Sequence, residues 1–437
     1  MTGQIDSPTY QELLRVFARI GLLSFGGPAG QIALMHRELV EERQWINEEQ
    51  YLHALNFCHL LPGPEAQQLA TWVGWKLHGV RGGLTAGLLF IGPGALIILA
   101  FATIYAFAAK LSWFAALFLG IKAAVVAIVV QALLRIAGRA LDSRFKRVLA
   151  IAAFVALFLF DAPFPLVVLG AALIGAAAAS LRPDWLMINP SHSARPDGPR
   201  PWRQSLRTVA IWGSVWAAPM ILVFGLLGPD HVLWKIGSFF SQLAVVTFGG
   251  AYAVLAYMAQ QAVQGFGWLS AGEMADGLGL AETTPGPLIL VTQFVGYLAA
   301  FRSPEPFTPI LAGLLGAALT TWVTFAPCFL WIFTLAPWIE RLENAPRLKA
   351  GLAALTAAVV GVIANLTLWF ALHVLFAQVD VVHWGPMRLH VPAWSGFDWK
   401  AALLGVLAAY QVFRLRWNVV AVLAGSALGG LGLQFVT

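Results

Sequence analysis

Ser24-Phe25-Gly26-Gly27 and then Pro62-Gly63-Pro64 interrupt an otherwise apolar stretch, and the arrangement returns as Thr247-Phe248-Gly249-Gly250 and Pro285-Gly286-Pro287. Gly26 stands 37 residues before Gly63, Gly249 stands 37 before Gly286, and the copies are offset by 223. Proline removes a backbone donor, and glycine lets a chain leave helical geometry. Helices restarting after Gly27, Pro64, Gly250 and Pro287 would each turn an N-terminus inward, with unpaired N–H groups and about +0.5 of an elementary charge. Four such ends meeting would suit an anion, above all a tetrahedral oxyanion that needs several donors. Ser24, Thr247, Thr283 and Thr284 could add hydroxyl donors. A single Pro-Gly-Pro could equally serve a kink or close helix packing. Two motifs, each present twice at equal spacing, favour a site.

Ionisable groups in apolar surroundings are the second clue. Lys122 lies in Gly120-Ile121-Lys122-Ala123-Ala124, near the middle of a long apolar run. A lysine at bilayer depth costs at least about 2.5 kcal/mol, so it needs a partner or a water-filled cavity. It reads either as a fixed positive charge for the anion or as half of a packing ion pair. Glu282 precedes the second Pro-Gly-Pro and could couple transport to protons, pair with Lys122, or be a hydrogen-bonded structural acid. Glu65, Gln67, Gln68 and Gln293 follow the two Pro-Gly-Pro turns and could line the same cavity; His59 and Asn365 are weaker candidates. The charged run from His36 to Arg43 reads as a solvated connector. There is no Walker A sequence, no Gly-x-Ser-x-Gly elbow and no His/Cys cluster, so no cofactor, metal or enzymatic activity is expected. Any energy must come from an ion gradient. Cys58 and Cys328 are isolated in apolar sequence and are not expected to pair.

The elements that must position these residues follow from composition. Of 437 residues, 59% are hydrophobic and 11% charged, against roughly 25% charged in a soluble domain. The mean hydropathy of +0.75 is too high for one aqueous core, so the expected solvent is lipid. Residues 1–12 are polar and lack a basic leader pattern, so no cleavable signal peptide is expected. The net charge of +6 gathers in connecting loops, which argues for membrane topology rather than nucleic-acid binding. Nine segments are expected to span: 82–108, 111–137, 145–160, 164–181, 205–226, 308–335, 347–376, 399–413 and 417–434. The segments flanking the four breaks are each about 14 residues, or about 21 Å as helix, short of a ~30 Å hydrocarbon core. They read as half-helices, either re-entrant hairpins or discontinuous crossing helices.

Arg135, Arg139, Arg144, Lys146 and Arg147, and the arginines of the 182–207 loop, are expected on the cytoplasmic side, with the N-terminus. The unpaired 205–226 span then turns the second half over. The fold class expected is an all-α polytopic membrane protein of two inverted repeats. The expected divisions are 1–181, a loop and linking helix over 182–233, and 234–437. Between residues 17 and 64, twelve of 48 positions equal their counterparts 223 residues on, among them Phe17/Phe240, Met35/Met258 and Trp45/Trp268.

The sequence resembles the chromate ion transporter family in its long two-domain form. The resemblance is carried by Gly21-Leu22-Leu23-Ser24-Phe25-Gly26-Gly27-Pro28-Ala29-Gly30, Leu61-Pro62-Gly63-Pro64-Glu65-Ala66, Trp72-Val73-Gly74, Gly92-Pro93-Gly94 and Gly120-Ile121-Lys122-Ala123-Ala124-Val125-Val126. In the second half it is carried by Thr247-Phe248-Gly249-Gly250 and Glu282-Thr283-Thr284-Pro285-Gly286-Pro287. It implies export of chromate through the bacterial inner membrane and chromate resistance, with sulfate as the look-alike dianion. Residues alone reach only a two-repeat membrane transporter for which an anion is plausible. Sulfate transport and a passive anion channel remain alternatives, with a membrane enzyme a distant third, and a homodimer is plausible by analogy. Ala251-Tyr252 replaces Pro28-Ala29, and Leu288 replaces Glu65, so the halves are not expected to contribute equally to a site.

Overall fold

The computed structural model describes residues 8–25, 27–109, 111–181, 202–248, 251–339 and 345–436. Gly26, Gly249, Gly250 and most of the expected 182–204 boundary lie outside the described residues. The described chain is mostly helix, as lipid demands when every backbone N–H and C=O must be satisfied within the chain. The helices are α1 (Tyr10–Leu23), α2 (Gly27–His36), α3 (Glu48–His59), α4 (Glu65–Ala108), α5 (Ser112–Ala140), α6 (Arg144–Phe158), α7 (Phe164–Leu181) and α8 (Trp202–Leu227). They continue with α9 (Val232–Val246), α10 (Ala251–Gln260), α11 (Ala271–Thr283), α12 (Val291–Arg302), α13 (Pro309–Leu335), α14 (Pro346–Leu375), α15 (Trp399–Phe413) and α16 (Val419–Val436). Among the described residues six helices are long and apolar enough to cross a membrane: α4, α5, α7, α8, α13 and α14. The protein is a multi-pass membrane protein.

Helix boundaries recur at the 223-residue offset. α1 ends at Leu23 and α9 at Val246; α3 begins at Glu48 and α11 at Ala271. Their caps correspond too: Asn47 accepts from the Gln50 N–H, and Ser270 accepts from the Glu273 N–H. Short π-helical turns, a rare element, follow α2 at Arg37–Glu42 and α10 at Gln261–Gly265. α4 is not one rod, because His78 and Gly79 leave helical geometry and Gly79 has φ +60°. Across this bend Gly74 and Gly82 meet backbone to backbone, so residues 65–77 fold back on 80–108. The second half reaches the same point at Arg302, where α12 ends before α13.

The chain forms two compact units, each drawing on both halves of the sequence. The first contains Met1–Ile104, His192–Ala251 and Thr284–Asn344. In it α13 packs against α12, α8 and α9. The second contains Tyr105–Ser191, Tyr252–Thr283 and Ala345–Thr437. Here α14 packs on α6 and α7, and α16 on α5, through small residues: a Cβ on Gly120 would overlap the Ser426 carbonyl, and one on Gly361 the Ala150 carbonyl.

Two features depart from the sequence reading. An antiparallel hairpin, β1 (Val379–Trp384) with β2 (Met387–Pro392), rises between α14 and α15 and adds strand to the all-α fold class expected. It turns at Gly385, φ +60°. The 36–43 run is also not wholly solvated. Glu38 is 1% exposed and is held by Arg43 at 2.5 Å and Arg19 at 3.5 Å. A carboxylate so buried must be paired, and these two guanidiniums supply the partners.

Candidate functional site

In the first unit the four helix breaks are joined crosswise. α1 stops at Ser24 and α9 at Thr247, both buried and both with ψ outside the helical range (62° and 85°). Their carbonyls, released from helical bonding, are taken up by the Pro-Gly-Pro turns. The Gly63 N–H donates to the Thr247 carbonyl at 2.7 Å, and the Gly286 N–H donates to the Ser24 carbonyl at 2.9 Å. Each half's turn thus caps the other half's broken helix. Gly63 has φ +121° and Gly286 φ +93°, a region open to glycine at little cost. The flanking prolines leave the glycine as the turn's only backbone donor.

Each turn also rests on a long helix of the opposite half. A Cβ on Gly63 would lie 2.8 Å from Cys328 Sγ of α13, and a Cβ on Gly94 of α4 would overlap the Pro285 carbonyl. Buried amides brace the assembly. Gln31 Nε2 donates to the Gly286 carbonyl at 2.6 Å, Gln68 Nε2 to the Pro62 carbonyl at 2.7 Å, and Gln293 Nε2 to the Ala95 carbonyl at 3.0 Å. The N–H groups of Gly63 and Gly286 are therefore engaged with protein, and a ligand would need other donors.

Other polar atoms remain without a protein partner. Ser24 Oγ and the Oε1 atoms of Gln31, Gln67, Gln68 and Gln293 are buried and accept or donate nothing within the described residues. Orphaned buried polar atoms each cost about 1–3 kcal/mol, so five near the breaks mark a place built for a polar guest or for water. Thr247 differs from its counterpart Ser24, since its hydroxyl donates to the Leu243 carbonyl at 2.6 Å. Gly27 opens α2 with φ +70°, Glu65 opens α4 half-buried, and Thr284, Pro285 and Pro287 are buried in the second break.

Lys122, Glu282 and Thr283 lie in the second unit. Lys122 Nζ is 3.3 Å from Asp276 Oδ1, and the Tyr105 hydroxyl donates to Asp276 Oδ2 at 2.5 Å. Tyr105 is wedged edge-on against Phe114 and Phe118 of α5, with ring centroids 5.8 and 5.4 Å away. Lys122 also reaches Gly272, in the first turn of α11. It thus meets α11 near its start, while Glu282 and Thr283 close the helix roughly 9–10 Å further along the axis from Asp276. Glu282 is 6% exposed, and the Thr283 hydroxyl bonds the Leu280 carbonyl at 2.8 Å.

Asp276 is the functional candidate that the sequence reading missed. Its signal was legible: an acid in Met274-Ala275-Asp276-Gly277, inside a half-helix at membrane depth, needs an explanation as much as Lys122 does. Tyr105 carried no such signal. Among the described residues no group of three or more His, Cys, Asp or Glu could hold a metal ion.

A family model described as chromate transporter matches residues 11–176 and 234–431. A chromate transport protein of Pseudomonas aeruginosa is 32% identical over 429 residues, 97% of this chain and 92% of that protein. A probable chromate transport protein of Synechococcus elongatus is 28% identical over 365 residues, 82% of this chain and 84% of that protein. A chromate transport protein of Cupriavidus metallidurans is 28% identical over 361 residues, 82% of each. No solved structure matches the chain.

Proposed function

Because the chain belongs to the chromate transporter family, a family of membrane transporters and not of enzymes, we propose that it carries chromate out of the cytoplasm and so confers chromate resistance. Chromate is a tetrahedral dianion, and it needs several donors at once in place of its water shell. The observation that carries the reading is the crossed set of breaks, with Ser24, Gln31, Gln67, Gln68 and Gln293 leaving buried polar atoms unpartnered around two Pro-Gly-Pro turns. Irregular backbone at membrane depth is tolerated where it is buried in protein or lines a cavity. Ser24 can donate its hydroxyl, the amides of Gln67 and Gln293 each use one N–H on the protein and can offer the other to an anion, and the helix starts after Gly27, Pro64 and Pro287 add positive ends. Thr284 and Glu65 complete the rim.

The two halves act as inverted repeats in the cytoplasmic membrane, with the N-terminus inside, and the site opens to each side in turn. The Lys122–Asp276–Tyr105 cluster favours a coupled carrier over a passive channel. It is a titratable group held by one cation and one hydroxyl, and protonating Asp276 would free Lys122. Sulfate on the same scaffold is the second reading, since it shares charge and shape with chromate.

Labelled chromate uptake into inverted vesicles tests the proposal. The expected result is uptake that needs an imposed proton gradient and is weakly inhibited by excess sulfate. Uptake equal to that of vesicles lacking the protein would refute chromate export. Uptake indifferent to the gradient would refute coupling, and stronger uptake of sulfate would give the site to that anion.

A further inference from the structure

A second polar cavity lies wholly within the second unit, where the unexpected hairpin meets the turn between α6 and α7. Asp161 occupies that turn with φ +49°. Arg388 of β2 donates its backbone N–H to the Leu159 carbonyl at 2.7 Å and ion-pairs with Asp161 through its guanidinium. Gln260 at the end of α10 donates to the other Asp161 oxygen. Beneath this clasp a partly open cavity of about 30 Å³ is lined by Asp161, Gln260, Gln264, Asn365, Trp369 and His390, with Leu157, Ala256 and Leu366 as its apolar wall. That is room for about two or three waters.

The lining is biased toward donors. Trp369 is 8% exposed, and its indole Nε1 is buried without a partner. An indole N–H can only donate, so it wants an acceptor in the cavity. The Nδ1 of His390 is likewise buried and unpartnered. Burial holds the His390 imidazole below its usual range, so it is neutral at pH 7 and offers a donor without a charge. The one carboxylate in the lining, Asp161, already accepts from Arg388 and Gln260, and its charge is offset. A metal cation would find its best ligand occupied. An anion would find an indole, an imidazole and two carboxamides able to turn their NH2 groups inward.

We propose that this cavity is a second binding site for a small tetrahedral oxyanion, made by Trp369, Asn365, Gln264 and His390 and closed by the Asp161–Arg388 clasp. An anion larger than the enclosed space leaves one face toward the open side. The choice of an oxyanion over other anions rests on the transport reading above; the donor-lined cavity does not.

The test is a titration of the full-length protein in detergent, labelled with 15N at tryptophan. Loss of one indole N–H resonance in Trp369→Phe, or in Trp369→Tyr, assigns Trp369. Sulfate is added at constant ionic strength, with chloride as the control. The expected result is a saturable shift of the Trp369 indole with sulfate and none with chloride. Asn365→Leu should weaken the sulfate response at least tenfold, while Gly138→Ala, whose added Cβ meets nothing within 4 Å, should leave it unchanged. An indole that does not move, or that drifts alike with both salts, shows a water-filled cavity only and overturns the site. Chromate uptake measured on the same preparations separates the two readings. Normal uptake with a silent indole removes this site alone. A saturable shift in a protein that moves no chromate removes the transport reading and leaves the site standing.

Discussion

Replacing Gly63 by alanine should do more damage than the same change at Gly27 or Gly286. The backbone there sits at φ +121°, where an L-residue pays about 1–3 kcal/mol. The new Cβ would lie 2.8 Å from both Cys328 Sγ and Gln68 Nε2, closer than real contacts allow. Both neighbours are buried and hydrogen-bonded, so relief requires movement of α13 or loss of the Gln68–Pro62 bond, in the range of about 1–3 kcal/mol for an overpacked core. A shift in the turn also weakens the Gly63–Thr247 bond, worth about 0.5–1.5 kcal/mol. These effects overlap, and a total of about 3 kcal/mol is expected, or roughly a hundredfold in the population of the joined breaks. Gly286→Ala crowds the Leu290 methyl at 3.1 Å, which can rotate away, and meets the Gly94 Cα at an ordinary 3.5 Å, so about 1–2 kcal/mol is expected from its positive φ. Gly138→Ala in α5 is the control, because nothing lies within 4 Å of its Cβ and a helical glycine gains about 0.5–1 kcal/mol from the change. The assay pairs thermal unfolding of the detergent-extracted protein with chromate uptake into inverted vesicles. Gly63→Ala should rank lowest in both, then Gly286→Ala, with Gly138→Ala at or above the parent. If Gly63→Ala melts and transports like Gly138→Ala, the crossed turns are not what holds the breaks together.

Three further outcomes follow from the same geometry. Ser24→Ala removes a buried hydroxyl with no partner, so melting should hold steady or rise by up to about 1 kcal/mol while chromate uptake falls several-fold; unaltered uptake would exclude Ser24 from the site. Lys122→Ala strands Asp276 and should destabilise the protein by about 1–3 kcal/mol, below the range for a fully buried pair because Lys122 stays 22% exposed; the Lys122→Met/Asp276→Leu double variant should recover that loss in a melting assay without recovering transport. Glu38→Gln should lower the melting temperature more than Glu49→Gln does, since Glu38 is 1% exposed between Arg19 and Arg43 whereas Glu49 is 85% exposed; equal melting curves would return the 36–43 run to plain solvent.

Much of this protein is legible in one dimension. Composition requires lipid as the solvent, and lipid requires helices, because no water is present to satisfy an open backbone. The repeated Gly-Gly and Pro-Gly-Pro place the interruptions, since proline and glycine act on their own backbone whatever surrounds them. The helices on either side begin and end where the 223-residue offset puts them. Pairings between distant segments were not legible, because they depend on which groups the fold brings within 3 Å. The turn glycines bond the opposite half's broken helices and so leave the task of holding a guest to side chains. Lys122 pairs with Asp276, 154 positions on, because α11 lies along α5 in the second unit. The 379–392 hairpin escaped notice because its alternation is brief and its faces are largely exposed, while its anchorage through Arg388 to Asp161 spans 227 positions. Local residue chemistry decides where a chain in lipid must break, and only the packed fold decides which orphaned groups find each other and which are left for a ligand.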